Sequence, residues 1–555
     1  MIYLLVFFTS FIATLFLTPY FISLLKKASI VDIPGGRKLH SSKIPRMGGL
    51  IIFIVVLAIL NTFIDNFESL ELILISITIL ILSGIIDDVI GLNSFIKFIL
   101  QNIAAVILIL YFQSKYSSVE LFGFTLSEPF NYLILLLFIV GAINSINLLD
   151  GLDGLASGFS LLIFAIILAL AINRSDAFLI LLSVSLIGSL IGFLRFNAFP
   201  ASIFLGDTGA YILGFFLVLT SFLVTIDYNN RVLDITFPIM LLGIPLIDTV
   251  KVFFVRIVNR KNPFEPDTGH QHYILYKNNI KHELSVFLIE IFTLVYIVLA
   301  IFYLQGIKIP ALILFVFFTV LLLLLEPFLD ALKLSVRVNY LLKRIKSLQI
   351  GGLKPTLRIL IYLSTLLIGF ISIFSFAVKT SLNIEELVFL IIATITLLVL
   401  AGMQFRESQM VAHINVFLNF TIFFIVSKLS IPLFSNAEFN FSTLMPLHDL
   451  SFYVLVIFII FMLLIRWKIY EGRKILFTGI DLTLIVVILL TVIVNNILEF
   501  DFNKYLSVSL LEAFIFYVWF KIAYDLKPKI GLILAFSSFL LPITLLSVLF
   551  FVKIF

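Results

Sequence analysis

An all-α, polytopic transmembrane bundle is the fold class the sequence predicts, and three observations carry that expectation. Apolar residues make up 62% of the 555-residue chain and charged residues only 12%. Mean hydropathy is +1.21. Apolar stretches of roughly 20 residues, the length that crosses a bilayer core of about 30 Å, recur along the chain. A soluble globular protein is roughly half apolar and a quarter charged, so this chain lacks the polar residues to cover a water-facing surface. Disorder, collagen and coiled coil are excluded by the same numbers. The chain has no cysteine, which excludes disulfides, Cys-ligated zinc, iron–sulfur clusters and thiol catalysis. The net charge of +5 is small for this length and no soluble basic domain is present, so no nucleic-acid partner is expected.

The first apolar run, Ile2 to Leu25, has no charged residue before it and no small-residue cleavage site after it. It is expected to remain as a first span. Further spans centre near residues 55, 78, 105, 139, 164, 186, 218, 245, 294 and 318, about eleven in all. These form a first membrane domain over 1–329. A basic connector over 330–356 follows, and 357–555 holds about seven more spans, for about 18 in total. The connector mixes Lys and Arg with apolar residues and suits either a plain loop or a segment lying on anionic lipid.

Lys and Arg set the expected orientation. Lys26, Lys27, Arg37, Lys38, Lys43 and Arg46 crowd the first loop. Arg256, Arg260 and Lys261 open a later one, and Lys343, Arg344 and Lys346 sit in the connector. Loops between them carry mostly single charges. By the positive-inside rule the rich loops are cytoplasmic and the N-terminus is outside.

The acids fall on the face of the rich loops. Asp87 and Asp88 end the third span, Asp150 and Asp153 end the fifth, and Asp207 follows the seventh. A carboxylate within a span costs roughly 2.5–3.5 kcal/mol on insertion scales, and adjacent like charges gain nothing structurally. Five acids with Asn144 and Asn147 on one face suit a divalent cation with oxygen ligands, which Mg²⁺ completes with substrate phosphates. Nearby Arg, Lys and His suit a polyanion such as a nucleotide diphosphate. Gly48, Gly49, Gly151, Gly154 and Gly206 fit either close helix packing or backbone approach to phosphate. No GxxxxGK[ST] loop is present, so a P-loop ATPase is unsupported.

Five segments in order resemble the polyprenyl-phosphate N-acetylhexosamine-1-phosphate transferases of glycosyltransferase family 4. They are Arg37-Lys-Leu-His40 with Ile44-Pro-Arg-Met-Gly48-Gly49; Gly84-Ile-Ile-Asp87-Asp88; Asn144 to Ala156, close to Asn-x-x-Asn-x-x-Asp-Gly-x-Asp-Gly-Leu-Ala; Asn197 through Pro200, Phe204 and Gly206-Asp207-Thr-Gly209; and Pro245 through Asp248-Thr249 and Asn262-Pro263-Phe264 to His270-Gln-His272. The last segment is more similar to the hexosamine branch than to the lipid I translocase, which has three consecutive His. Thr268 and Tyr273 stand where that branch often has Arg and His, and no third acid follows Asp88.

The resemblance implies transfer of a sugar 1-phosphate from a UDP-sugar to a polyprenyl phosphate, with release of UMP, in the bacterial inner membrane. Position in the motifs implies Mg²⁺, with Mn²⁺ as a substitute, on Asp207 and Asn147. It implies Asp87 and Asp88 as the catalytic pair, Asp87 activating the lipid phosphate. Lys43, Asn144, Asp150, Asp153, Asn197, His270 and His272 are implied in substrate binding. The expected sugar is N-acetylglucosamine, on undecaprenyl phosphate, at the cytoplasmic face, starting a cell-envelope glycan such as lipopolysaccharide. Partners are the UDP-sugar, the polyprenyl phosphate and membrane lipid, with a homodimer left open. A lipid I enzyme, with a UDP-muramoyl-pentapeptide donor, is the runner-up. A polyisoprenoid-lipid transporter would instead show acids near mid-membrane and repeated halves. An inactive scaffold is the remaining alternative.

Overall fold

A computed structural model describes residues 2–34, 43–64, 70–260, 269–278, 280–324, 479–498 and 518. It is helical, with two small sheets. The helices are α1 Ile2–Lys27, α2 Gly49–Phe63, α3 Glu71–Ile90, α4 Ser94–Gln113, α5 Phe130–Leu149, α6 Leu155–Asn173, α7 Ala177–Asn197, α8 Gly206–Thr225, α9 Thr236–Leu241, α10 Gly243–Val258, α11 Gln271–Lys277, α12 His282–Leu304, α13 Lys308–Leu323 and α14 Gly479–Leu498. Among the described residues, eight are long and apolar enough to cross a membrane: α1, α3 to α8 and α12. Most of the seven expected C-terminal spans lie outside the described residues.

The chain divides into two compact units. One comprises residues 1–335 with 478–490, and the other 336–477 with 491–555. The first is a bundle built around α8, whose residues from Thr208 to Thr225 are all buried. Helices α2, α3, α5 and α6 surround it, and α1 lies along α7. The outer helices turn apolar faces outward, as in Ile96, Ile99, Ile103, Val106 and Leu110 of α4. That spacing of three and four residues is the stripe a lipid-facing helix presents.

Local chemistry starts and stops these helices. Asn93 caps α4 through Phe95 N at 2.9 Å, and Asp176 caps α7 through Leu179 N at 2.9 Å. The region expected to form one span near residue 245 is instead split between α9 and α10. Pro245 explains the break: it has no N–H for the Leu241 carbonyl, and its ring crowds that carbonyl, so the helix restarts at Gly243. Helix α2 has 15 residues and α13 has 16, about 22–24 Å of helix against a core of about 30 Å.

Strands mark one end of the bundle. Ser118–Leu121 (β3), Phe124–Leu126 (β4), Ile226–Asp227 (β5) and Val232–Asp234 (β6) form a sheet in the order β4-β3-β6-β5, with β3 and β6 parallel. It joins the segments that follow α4 and α8. The other end therefore holds the carboxyl ends of α3, α5 and α7 and the amino ends of α4, α6 and α8. There Val31–Asp32 (β1) pairs with Ile44–Pro45 (β2), and Arg46 forms an ion pair with the buried Asp32.

Helices α2 and α8 touch through glycine. A Cβ on Gly49 would lie 2.1 Å from Gly209 Cα, whereas one on Gly141 meets nothing within 4 Å. Gly49→Ala is therefore expected to lower stability by about 1–3 kcal/mol, the usual cost of overpacking. Gly141→Ala is expected to be near neutral. Thermal unfolding of both variants in detergent checks this, and equal midpoints would refute the close contact.

Candidate active site

The amino end of α8 organises the acid cluster. Asp88 on α3 accepts from Asp207 N and Thr208 N, each at 3.1 Å, and from Thr208 Oγ1 at 2.7 Å. Both its oxygens are engaged in satisfying amides that no helical carbonyl can reach. Gly206, with φ +76°, brings the chain to this point. A side chain there would stand 2.7 Å from Asp88 Oδ2 and 2.6 Å from Met47 N. The first loop closes the same corner, since Phe204 N donates to Pro45 O at 2.8 Å and Gly48 N to Phe204 O at 2.9 Å.

Asp87, the preceding residue on α3, faces another way. Its Oδ1 accepts from Leu92 N at 2.6 Å, and its Oδ2 pairs with Lys97 of α4. The same ammonium reaches Asp207 Oδ2 at 2.9 Å. Asp87 and Asp207 lie within hydrogen-bond reach of each other. Asn147 Nδ2 and Tyr211 Oη approach the same Asp207 oxygen at 3.5 Å and 3.4 Å. One turn earlier on α5, Asn144 exchanges amide hydrogen bonds with Gln101 at 2.6 Å and 3.2 Å.

A second group of polar side chains adjoins these charges. Asp150 ends α5. Burial, then the charges of Asp207, Asp153 and Asp88, push its carboxyl well above the usual range. Asp153 accepts from Ala201 N at 2.9 Å. His282, whose ring reaches the Asp153 backbone, stacks on Phe199 with centroids 4.4 Å apart. Asp248 on α10 accepts from His270 Nδ1 and Gln271 N, both at 2.9 Å, and so docks α11. His272 is then buried against Gly151, where a Cβ would lie 2.1 Å from its Nε2. Neither of its ring nitrogens has a hydrogen-bond partner among the described residues.

Most residues singled out in the sequence thus converge on one end of the bundle: Asp87, Asp88, Asn144, Asn147, Asp150, Asp153, Asp207, His270 and His272. Two stand apart. Asn197 is buried and uses its amide within the protein, accepting from Ser157 Oγ at 2.8 Å and donating to Ile203 O at 3.1 Å. Lys43 is exposed just before β2. Arg37, His40, Asn262 and Asp267 lie outside the described residues. Sequence reasoning passed over Lys97, Tyr211 and His282, and quoted Thr208 and Asp248 within motifs without giving either a role. Lys97 carried a signal, since a lone cation in an apolar span needs a partner.

The cluster has the donor chemistry for Mg²⁺. Asp87 and Asp207 already share one cation in Lys97, and a half-turn of the Asn147 amide presents a third oxygen. Two carboxylates plus substrate phosphates suffice for this ion. Among the described residues, no three His or acidic side chains form a complete metal cage.

Burial lowers His272 from an ordinary 6.5 to about 4. The folded protein therefore resists a proton that the unfolded chain accepts. The resulting stability is complete above about pH 6.5 and is lost as pH falls toward 4, by at most about 3 kcal/mol. His272→Gln is expected to flatten the fall of the thermal midpoint across that window. Parallel curves for the two proteins would show that the ring is hydrated or paired.

The model of glycosyl transferase family 4 matches residues 70–225, which include Asp87, Asp88, Asn147, Asp150 and Asp207. A probable undecaprenyl-phosphate N-acetylglucosaminyl 1-phosphate transferase of Bacillus subtilis is 34% identical over 302 residues, 53% of this chain and 83% of that relative. An undecaprenyl-phosphate alpha-N-acetylglucosaminyl 1-phosphate transferase of Thermotoga maritima is 31% identical over 264 residues, 47% of this chain and 78% of that protein. A phospho-N-acetylmuramoyl-pentapeptide-transferase of Wolbachia pipientis is 35% identical over 261 residues, 43% of this chain and 80% of that protein. With four-fifths of such relatives covered and the acid motifs assembled at one site, the chain belongs to glycosyl transferase family 4.

Proposed function

We propose that this protein transfers N-acetylglucosamine 1-phosphate from its UDP-sugar to undecaprenyl phosphate and so starts a cell-envelope glycan. A lipid-phosphate oxygen attacks the sugar-bearing phosphorus, the bond to the nucleoside phosphate breaks, and UMP leaves. The observation that carries this reading is the Asp87–Lys97–Asp207 cluster at the end of an apolar bundle, with Asn147 beside it. Phosphoryl transfer needs charge neutralisation and in-line positioning more than covalent help. A lipid acceptor needs such a site at the membrane boundary, and a nucleotide donor needs it open to the cytoplasm. The excess of Lys and Arg in the first loop supports that orientation, with the N-terminus outside.

In this mechanism Asp207, with Asn147, would hold Mg²⁺, which would supply positive charge to the diphosphate. Asp87 holds the acceptor phosphate in line and takes any proton it still carries. Lys97 turns to the phosphate oxygens as charge develops. Asp88 does not touch substrate; it fixes the first turn of α8 and so the position of Asp207. Asp150 and His272 face the sugar or base of the donor, with Asp153 beside them. Residues 1–329 form the transferase domain, 330–356 a basic connector and 357–555 a further membrane region.

Identity alone does not separate the two classes of relative, so the sugar is chosen by the spaced His270-Gln-His272 pair and tested directly. The assay is UMP release by purified protein with undecaprenyl phosphate and Mg²⁺. UDP-N-acetylglucosamine, UDP-N-acetylgalactosamine and UDP-muramoyl-pentapeptide are offered in parallel. Lipid-dependent release with the first donor is expected. Turnover only with the third would move the protein to the lipid I class. No release with any donor would defeat the transferase reading. Asp87→Asn, Asp207→Asn and Lys97→Met are each expected to cut kcat about 100-fold or more, the usual cost of losing a group that stabilises transition-state charge.

A further inference from the structure

Glu290 lies on α12 with no exposed surface. Its Oε1 accepts from Thr483 Oγ1 of α14 at 2.7 Å, and its Oε2 has no hydrogen-bond partner among the described residues. A carboxyl group inside a membrane bundle is costly and persists where it has a partner and a task. Here the partner comes from 193 positions along the chain. Gly158 of α6 makes the room. A Cβ at that position would stand 2.2 Å from Glu290 Oε1 and 3.2 Å from Thr483 Cγ2.

The start of α14 is shaped for this place. Thr483, Val486 and Leu490 are buried at a spacing of three and four residues, while Leu489 is 43% exposed on another side. Residues 478–490 cluster with 1–335 as one compact unit. The family model ends at residue 225, and about half of this chain accounts for 83% of the Bacillus subtilis relative. The chain therefore carries a large addition, and a piece of it sits within the unit that holds the acid cluster.

We infer that the start of α14, residues 479–490, is a docking element of the C-terminal addition, with the Glu290 carboxyl of α12 as its receptor and Gly158 as the notch that admits the pair. The clasp uses none of the groups assigned to the proposed reaction. It sits on the two helices that begin beside Asp153: α6 starts at Leu155 and α12 at His282.

The absence of cysteine makes a direct test clean. The full chain carrying Glu290→Cys and Thr483→Cys is treated in membranes with mercuric ion, whose short reach joins two thiolates, and is mapped by peptide mass. A linked peptide pair is expected. The pair Glu290→Cys with Leu489→Cys is expected to stay unlinked. Failure of the first pair, or equal linkage in both, overturns the docking. A second measurement covers misfolding of the double-cysteine chain. Glu290→Gln, which keeps the acceptor, is expected to hold the thermal midpoint, whereas Glu290→Ala and Thr483→Val each lower it by a few degrees. The two losses are expected not to add when combined, because both remove one contact. Full additivity would mean that the two residues do not act as a pair.

Discussion

The carboxylate of Asp88 at the amino end of α8 is the interaction on which the rest of the site depends. Helix α8 is buried from Thr208 onward, and its first amides have no helical carbonyl to pair with. Asp88 meets them from α3, taking two backbone amides and the Thr208 hydroxyl. The positive end of the helix dipole favours the negative charge in return. A consequence falls on the neighbouring residue. Successive side chains on a helix point about 100° apart, so once Asp88 turns to α8, Asp87 turns toward Leu92 and Lys97. Two adjacent acids that looked redundant thus hold different posts, one fixing a helix end and the other facing a cation.

Lys97 resolves the repulsion this creates. Asp87 and Asp207 come from helices 120 positions apart and share a single ammonium. The arrangement is stable without substrate because the two carboxylates are bridged. It is also ready for exchange, because Lys97 is a flexible cation with three donors that can follow the phosphate charge as the proposed substrates enter. The close glycine contacts serve this geometry. Gly49 against Gly209 and Gly84 against Thr208 let α2 and α3 approach α8 at backbone distance, which brings Asp88 within reach of its amides.

The sequence made the fold class and the membership of the acid cluster legible, because hydropathy runs and charged interruptions of them are local signals. Asp87, Asp150 and Asp207 stood out for that reason. What it hid were relations across helices. That Asp88 is spent on α8, and that Asn197 is spent on Ser157 and Ile203, depends on which helices pack together, and no spacing along the chain reports that. The glycines were ambiguous for the same reason. Gly49 and Gly151 read equally as phosphate approaches or packing sites until Gly209 and His272 were seen against them. The break between α9 and α10 was written in Pro245 but masked by the continuous apolar run around it.

The site divides by charge, and the division follows from how each group is buried. Asp87, Asp207 and Lys97 are partly accessible and partner one another. Burial, with Asp207, Asp153 and Asp88 nearby, raises the Asp150 carboxyl well above the usual range; among the described residues His272 has no hydrogen-bond partner for either ring nitrogen, and burial lowers it to about 4, so it is a neutral base. The Asp87–Lys97–Asp207 group has the chemistry for phosphates, while Asp150 and His272 offer hydrogen-bonding groups of the kind that hydroxyls and amides meet. The proposed nucleotide-sugar donor, with a diphosphate between two neutral groups, would use both, which is why the proposal rests on the two groups together more than on any single acid.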